Sequence, residues 1–544
     1  MKPWTRRRFL ATLPWIGAAT ACGPAPRRIV SSGVPADLTG SIVGASRELG
    51  HRLRTGDLPE APEPGGEIPV LVLGAGIAGL SAGWAMRREG FDDFRILELE
   101  NDPGGNSRSG RNSVSAFPWG AHYLPQPPDE AVEVRALLLE MGLAREADDG
   151  RLDLDPRHLC HDPDERLFLY GGWQEGVVPT TGVDRESHQQ LVAFDLEMRR
   201  LARLRGEDGR PAFTLPVEAS SREPTLLALD RLSMGEWLEE RGWTSPALRW
   251  WVDYACRDDF GAGVDDTSAW AGCHYFAARP QDAAVLTWPE GNGRLVDHLV
   301  DRIGDRIETG QLVYRIEQSE SVDGGAWVYV LDTTTSTAHR WHARQVIFAL
   351  PRFLAPYLMP GVPRDLALPG PESWVYSPWV VGNLTLDHLP REHDGSIPPH
   401  STWDNVDYRS PSLGYVVATH QALSTTPGPT VLTWYRALAD QDPLASRRAM
   451  EERSWESWAE EILADLERIH PWIRDEVRHL DVMLWGHAMI RPTPGFLWGE
   501  ARRRAAEPLG PIHFAHSDLG GLSLFEEAQH WGVRAARQVL EVLA

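Results

Sequence analysis

The sequence predicts an α/β protein of two interleaved domains, one built on a parallel sheet and the other, α+β, on a mostly antiparallel sheet. Three observations predict it. Val70 to Leu73 form the continuous apolar run expected of a parallel strand buried on both faces, and Gly74, Gly76 and Gly79 come next at GxGxxG spacing. A helical stretch then leads into a second strand, Arg95 to Leu97, which delivers the acid Glu98. Third, 544 residues exceed what one hydrophobic core usually holds, while the apolar and charged fractions, 42% and 24%, are those of a globular chain.

Each glycine answers a separate physical demand. Gly74 permits the tight turn out of the strand, Gly76 lets the backbone approach a pyrophosphate, and Gly79 lets the helix pack closely on the strand. The helix N-terminus offers unpaired N–H groups and the positive end of its dipole to the phosphates. Glu98 stands about twenty residues on, where a carboxylate holds a ribose hydroxyl and disfavours a 2′-phosphate. Val70 to Gly110 therefore reads as a Rossmann-like dinucleotide-binding unit.

The residues after Glu98 narrow the choice of dinucleotide. The run ELENDPGGNSRSG, with Gly104, Gly105 and Arg108, resembles the E-x5-GG-x-x-R-S/T signature of the flavin amine oxidase superfamily, which includes monoamine and polyamine oxidases and relatives of phytoene desaturase. In that family the segment closes over FAD. SAFPWGAHYLPQPPDE is similar to a GAHW-like run that passes the flavin ring, which implies that Trp119, His122 and Tyr123 face the reacting site, with His122 and Tyr123 as catalytic candidates. The stretch LTWPEGNGRLVDHLVDRIGDRIETGQLVYRIEQ resembles a helix and strand whose main chain, at Val313, bonds the adenine, and VIFALP matches an apolar strand ending in proline.

The far end of the chain resembles the same family. Ile512 to Ala515 is the expected strand, Asp518 the acid that contacts the ribityl chain, and Leu522 with Ser523 the start of a helix whose N-terminus points at the flavin. A helix terminus there stabilises the negative charge that reduction places near N1 and O2. The implied cofactor is FAD, held without a covalent bond because no cysteine lies in the C-terminal segment.

The resemblance divides the chain. Residues 68–165, 281–355 and 481–544 belong to the FAD-binding domain, and 166–280 with 356–480 to the substrate domain. Within these, Asp129 is expected to cap a helix through VEVRALLLEMGL, Arg166 to Trp173 to be a strand turning at Gly171-Gly172, and 184–204 a long amphipathic helix. Ser233 opens a capping box, and Ser245-Pro246 opens a helix whose Trp250, Trp251 and Tyr254 read as core. Asp258-Asp259 and Asp265-Asp266 read as solvated turn residues. Trp379 to Leu386, Tyr415 to Thr419 and Val431 to Tyr435 are the expected antiparallel strands, with Trp403, Tyr408 and Tyr435 as cavity-wall candidates and a helix from Trp455 to Ile469 covering the sheet.

The N-terminus reads as an address. Thr5 to Leu10, TRRRFL, fits the twin-arginine export pattern, and the moderately apolar stretch after it is too short and too interrupted by Pro14 to span a membrane. Residues 1–22 are thus a signal peptide whose Ala19-Thr20-Ala21-Cys22 resembles a lipoprotein cleavage site, and 23–67 a linker with a short helix over Ser41 to Arg54. The expected location is the periplasm or cell envelope, with Cys22 as a lipid anchor. Twin-arginine export carries folded proteins, which suits a cofactor buried before crossing. The net charge of −23 argues against nucleic acid as a partner and modestly favours cationic ligands. Cys22, Cys160, Cys256 and Cys273 show no metal-site spacing, and Cys256 and Cys273 are expected to be free and buried.

Two departures from the family bear on chemistry. Many of its amine oxidases hold a water near flavin N5 with a lysine, and here Lys2 is the only lysine. Asn106 stands where an arginine often succeeds the double glycine, which leaves Arg108 as the pyrophosphate contact. The implied activity is hydride removal from a small-molecule substrate, most often beside nitrogen, with electrons passed to oxygen or to a quinone or carrier. A desaturase or dehydrogenase, a flavin-dependent isomerase, and a non-catalytic FAD-binding protein remain compatible with the same residues.

Overall fold

The computed structural model describes residues 33–59, 62–279, 284–320, 324–360, 362, 373–422 and 428–544. The twin-arginine motif and Cys22 lie outside them. Among the described residues no helix is long and apolar enough to cross a membrane.

Two large sheets organise the chain. In the first, the parallel strands Ile307–Glu308, Phe94–Leu97, Glu63–Leu73 and Thr337–Phe348 lie side by side, with Val72 level with both Ile96 and Ile347. The antiparallel Ala326–Asp332 and Gln311–Gln318 extend one edge, and Ile512–Phe514 adds in parallel to Thr337–Phe348. Helices Ile77–Arg88, Gly293–Ile303 and Phe525–Leu543 cover this sheet, burying Leu80, Trp84, Leu299 and Val539 with Val70 and Ile96 in one core. Strands delivering an all-apolar run into a layer of helices are why Val70–Leu73 carries no polar alternation.

The second sheet has eight strands in the order Ile42–Gly44, Val477–Ile490, Tyr376–Leu386, Thr430–Ala437, Tyr415–Val417, Asp404–Asp407, Glu165–Leu169 and Gly172–Glu175. It is mostly antiparallel, with parallel pairs at its first edge and between Asp404–Asp407 and Glu165–Leu169. Helix Trp455–Glu467 packs Trp458, Ile462 and Leu463 onto its outer face. A separate helical layer, with Arg185–Arg203, Pro246–Phe260 and Ala269–Ala277, closes over the inner face around Phe194, Trp251 and Trp270.

Several boundaries differ from the sequence reading. Ile42–Gly44, placed in a linker, is an edge strand paired with Val482, Met483 and Leu484, and the helix after it spans Arg47–Thr55. The strand Val477–Ile490 belongs wholly to the second sheet, so the chain returns to the nucleotide domain after Ile490 and not at 481. Asp129 is not a cap. Its carboxylate pairs with Arg135 at 2.7 Å, and the helix begins at Val132 behind Ala131. Ser233 and Ser245 do cap as expected, Ser233 with Glu236 forms the full capping box, and Asp184, read as the first residue of its helix, is its N-cap. Cys256 and Cys273 are free and buried.

Candidate active site

The glycine turn forms a cradle at the carboxyl end of Glu63–Leu73. Gly74 has φ +95° and donates its N–H to Leu97, so the turn is tied to the neighbouring strand. A methyl group at Gly79 would stand 1.9 Å from the Gly74 carbonyl oxygen, whereas one at Gly76 meets nothing within 4 Å. The first glycine contact is helix against strand; the second faces open space. Gly76 caps helix Ile77–Arg88 without a side-chain hydrogen bond, leaving the first N–H groups available to an anion.

Glu98 closes one side of this cradle. Its carboxylate accepts from the Ala75 N–H at 2.7 Å and the Glu100 N–H at 3.0 Å, and burial raises its pKa against the lowering effect of those bonds. Gly104 donates to the Ala75 carbonyl at 2.7 Å, and Gly104 and Gly105 both have positive φ, so the double glycine lies directly on the first turn. The Arg108 guanidinium sits 5.3 Å over the Trp485 ring with one Nη 3.7 Å from Glu100, and its Nε has no hydrogen-bond partner among the described residues. Val313 is buried on the strand that starts beside Glu98, where Gln311 donates to the Glu98 carbonyl. The open space before Gly76, the uncapped helix and the unpaired Arg108 Nε fit the pyrophosphate of FAD.

The terminal helix starts later than expected, and Asp518 lies in the short turn Ser517–Leu519 before it. Asp518 is fully buried, accepting from the Arg352 N–H at 2.8 Å and from the Tyr376 hydroxyl, with the His516 ring 3.1 Å from its other oxygen. Burial raises its pKa, but the imidazole and these bonds outweigh it and hold the carboxyl below its usual range. The helix starts at Phe525, three residues beyond Leu522, because Gly521 turns at φ +81° and Leu522 is buried in the core of the helical layer. Ser523 accepts from the Ile490 N–H and, with Leu524 and Phe525, lines the cavity ahead of the helix.

That cavity, about 620 Å³, lies between the antiparallel sheet, the helical layer and the segment Gly120–Tyr123. His122 stacks on Tyr435 with ring centroids 4.6 Å apart and stands near Trp403 and Tyr123. The Tyr123 hydroxyl reaches Asp258 at 3.5 Å, and burial together with that carboxylate pushes its pKa well up. Trp403 and Tyr435 line the cavity as expected, and so do Trp251 and Tyr254, which the sequence assigned to core. Trp119 and Tyr408 do not. Trp119 packs edge-on against Phe117 and its carbonyl accepts from Trp485, while Tyr408 lies against Trp250.

The acids of the cavity went largely unread. Asp258 and Asp259 are not solvated turn residues; they end helix Pro246–Phe260 and face the cavity, and Asp259 takes both its oxygens to Arg279 Nη2 at 2.8 and 2.9 Å. Asp404 and Glu165 are level on neighbouring parallel strands, both buried and both lining the cavity. Glu526, in the first turn of the last helix, is buried there too, and burial lifts its pKa to about 7. Among the described lining residues, eight carboxylates face two guanidinium groups, Arg199 and Arg279. No described cluster of His, Cys, Asp or Glu could hold a metal ion.

Residues 77–540 match the family model of flavin containing amine oxidoreductases. The chain is 24% identical over 496 residues to AofH of Mycobacterium tuberculosis strains CDC 1551 and H37Rv, named as a flavin-containing monoamine oxidase, covering 88% of this chain and 97% of the relative. Among solved structures, putrescine oxidase bound to putrescine superposes with a TM-score of 0.62 at 17% identity, over 87% of this chain and 99% of that one. Cyclohexylamine oxidase from Brevibacterium oxydans superposes with a TM-score of 0.60 at 16% identity, over 88% and 99%. At these identities the structural likeness shows a shared fold.

Proposed function

The chain belongs to the family of flavin-containing amine oxidoreductases, and we propose that within it the protein oxidises a small cationic amine seated in the acidic, aromatic cavity. It is an FAD-dependent oxidoreductase. Bound at the glycine cradle, without a covalent link, FAD supplies the acceptor for the hydride from the carbon beside nitrogen. The chain's own groups do the rest. Carboxylates lining a cavity walled by protein attract an ammonium group more strongly than they would in bulk water, and the faces of Trp403 and Tyr435 add cation–π attraction. His122, held in a fixed plane by Tyr435, orients the substrate.

The observation that carries this reading is the charge of the lining, eight carboxylates to two guanidinium groups. Putrescine and cyclohexylamine, named for two similar structures, are both cations at neutral pH. Replacing Asp404 with Asn tests it. KM for a primary amine should rise roughly tenfold with little change in kcat, the signature of lost uniform binding. An unchanged KM would contradict the reading.

The electron acceptor we assign to a quinone or carrier in place of oxygen, since no lysine after Lys2 can hold a water at the flavin. Arginine is a poor substitute, being a fixed and permanently charged fork. Slow return of colour when air is admitted to the reduced protein supports this; rapid return with peroxide supports an oxidase. The cell envelope is the proposed location, resting on Thr5 to Leu10. Replacing Arg6 and Arg7 with Lys should trap the loaded flavoprotein in the cytoplasm, and unaltered fractionation would exclude the route.

A further inference from the structure

One acid in the cavity differs from the others in what it touches. Asp259 is committed to Arg279 through both oxygens, and Asp258 receives the Tyr123 hydroxyl. Glu526 is 3% exposed, lines the cavity beside Ser523, Leu524 and Phe525, and its Oε1 has no hydrogen-bond partner among the described residues. The Nε of Arg279, in the same wall, is likewise without one. A buried carboxylate oxygen without a partner, on a residue that lines a cavity, costs free energy unless something that enters supplies the donor.

We propose that Glu526 takes the proton from the incoming ammonium group, so that the amine reacts as its neutral form. This rests on the amine reading above. The step balances simply: an N–H bond of R–CH2–NH3+ breaks, an O–H bond forms on the Glu526 carboxylate, and the electron pair of the broken bond stays on nitrogen as its lone pair. The proton leaves to solvent when product departs.

The need for such a group is arithmetical. An alkylamine with a pKa like that of lysine is neutral to roughly one part in 10³ at pH 7, too little to sustain turnover unaided. The groups facing this part of the cavity set the poise of the acid. Burial and the carboxylate of Asp259 on helix Pro246–Phe260 favour the protonated form, as does the neighbouring Glu527, while the Arg279 guanidinium opposes them. Asp258, Tyr123 and Tyr275 complete the titratable lining on this side. The result is a carboxyl poised near neutrality, where proton transfer is most effective. The sequence hides this because an acid in the first turn of a helix is commonplace.

The test is anaerobic stopped-flow bleaching of the FAD-loaded protein from pH 6 to 10 with cyclohexylamine and putrescine, alongside a fluorinated amine already neutral at pH 7. The wild type should show an inflection near 7. Glu526→Gln, isosteric and uncharged, should lose that inflection, react roughly 10²-fold more slowly at pH 7, and recover as pH rises and free amine accumulates. With the fluorinated amine the same variant should stay within about threefold of wild type. Glu526→Asp should move the inflection, since the titrating group itself has changed. An unmoved inflection in either variant, or equal slowing of the fluorinated amine, overturns the assignment of Glu526 while leaving the amine reading intact. Failure of every amine to bleach the wild type overturns both.

Discussion

Replacing Gly76 with Ala separates binding of the cofactor from stability of the fold. Gly76 has φ −71° and ψ 179°, a backbone any residue adopts, and an added methyl meets no atom within 4 Å. The protein without flavin should therefore lose no more than about 1 kcal/mol, the scale of an N-cap change. That same methyl would occupy the space where a pyrophosphate approaches. Losing two charge-assisted hydrogen bonds at roughly 1.5–3 kcal/mol each weakens FAD by roughly 10²- to 10⁴-fold. Gly79→Ala is the contrast, because its methyl would lie 1.9 Å from the Gly74 carbonyl oxygen and must push helix from strand. Overpacking of that kind costs about 1–3 kcal/mol or more, so this variant should lose stability even without flavin. Quenching of flavin fluorescence on titration gives the affinity, and thermal melts of flavin-free protein give the stability. FAD binding by Gly76→Ala at wild-type strength would refute the placement of the pyrophosphate at this turn.

Three other perturbations probe the same geometry. Asp259→Asn leaves the buried Arg279 without its carboxylate and should cost about 3–5 kcal/mol in chemical denaturation, with part recovered by adding Arg279→Met; a neutral effect would mean the pair is solvated. His122→Ala should slow anaerobic flavin reduction by roughly 10²-fold with FAD still bound, and unchanged kinetics would remove His122 from the chemistry. Glu526 makes stability depend on pH. Its folded pKa of about 7 lies above the ordinary glutamate value, so the wild type is favoured below the unfolded pKa and loses stability as pH rises through 7. Glu526→Gln should thus gain on wild type between pH 5 and 8, by up to about 3 kcal/mol, in urea midpoints measured at both; a constant difference would contradict burial of a titrating acid.

Local physics was legible in the sequence and long-range pairing was not. The glycine turn could be read because tight turn, close approach and helix packing each constrain one residue, and the structure places Gly74, Gly76, Gly79, Gly104 and Gly105 together around Glu98. The caps at Ser233 and Ser245 were equally local. Ile42–Gly44 could not be found, since three residues carry no period and their partner, Val482 to Leu484, lies far along the chain. The start of the last helix was misplaced because burial of Leu522, a tertiary fact, keeps the chain extended to Leu524. The acids of the cavity were missed for a related reason. Asp404 and Glu165 sit on short strands where a buried acid looks like an outward-facing one until a neighbouring strand brings the two level. The strand Asp404–Asp407, DNVD, carries a single apolar residue, Val406, so its complete burial left no apolar pattern to read.

Oxidation of an amine in this cavity is the central claim, and one measurement reaches it directly: anaerobic titration of the FAD-loaded protein with a panel of primary amines and diamines, each matched by the alcohol of the same carbon skeleton, with the visible flavin spectrum as readout. The predicted result is stoichiometric bleaching by at least one amine and none by its alcohol. Bleaching by the alcohols as readily as by the amines, or by neither, would contradict it.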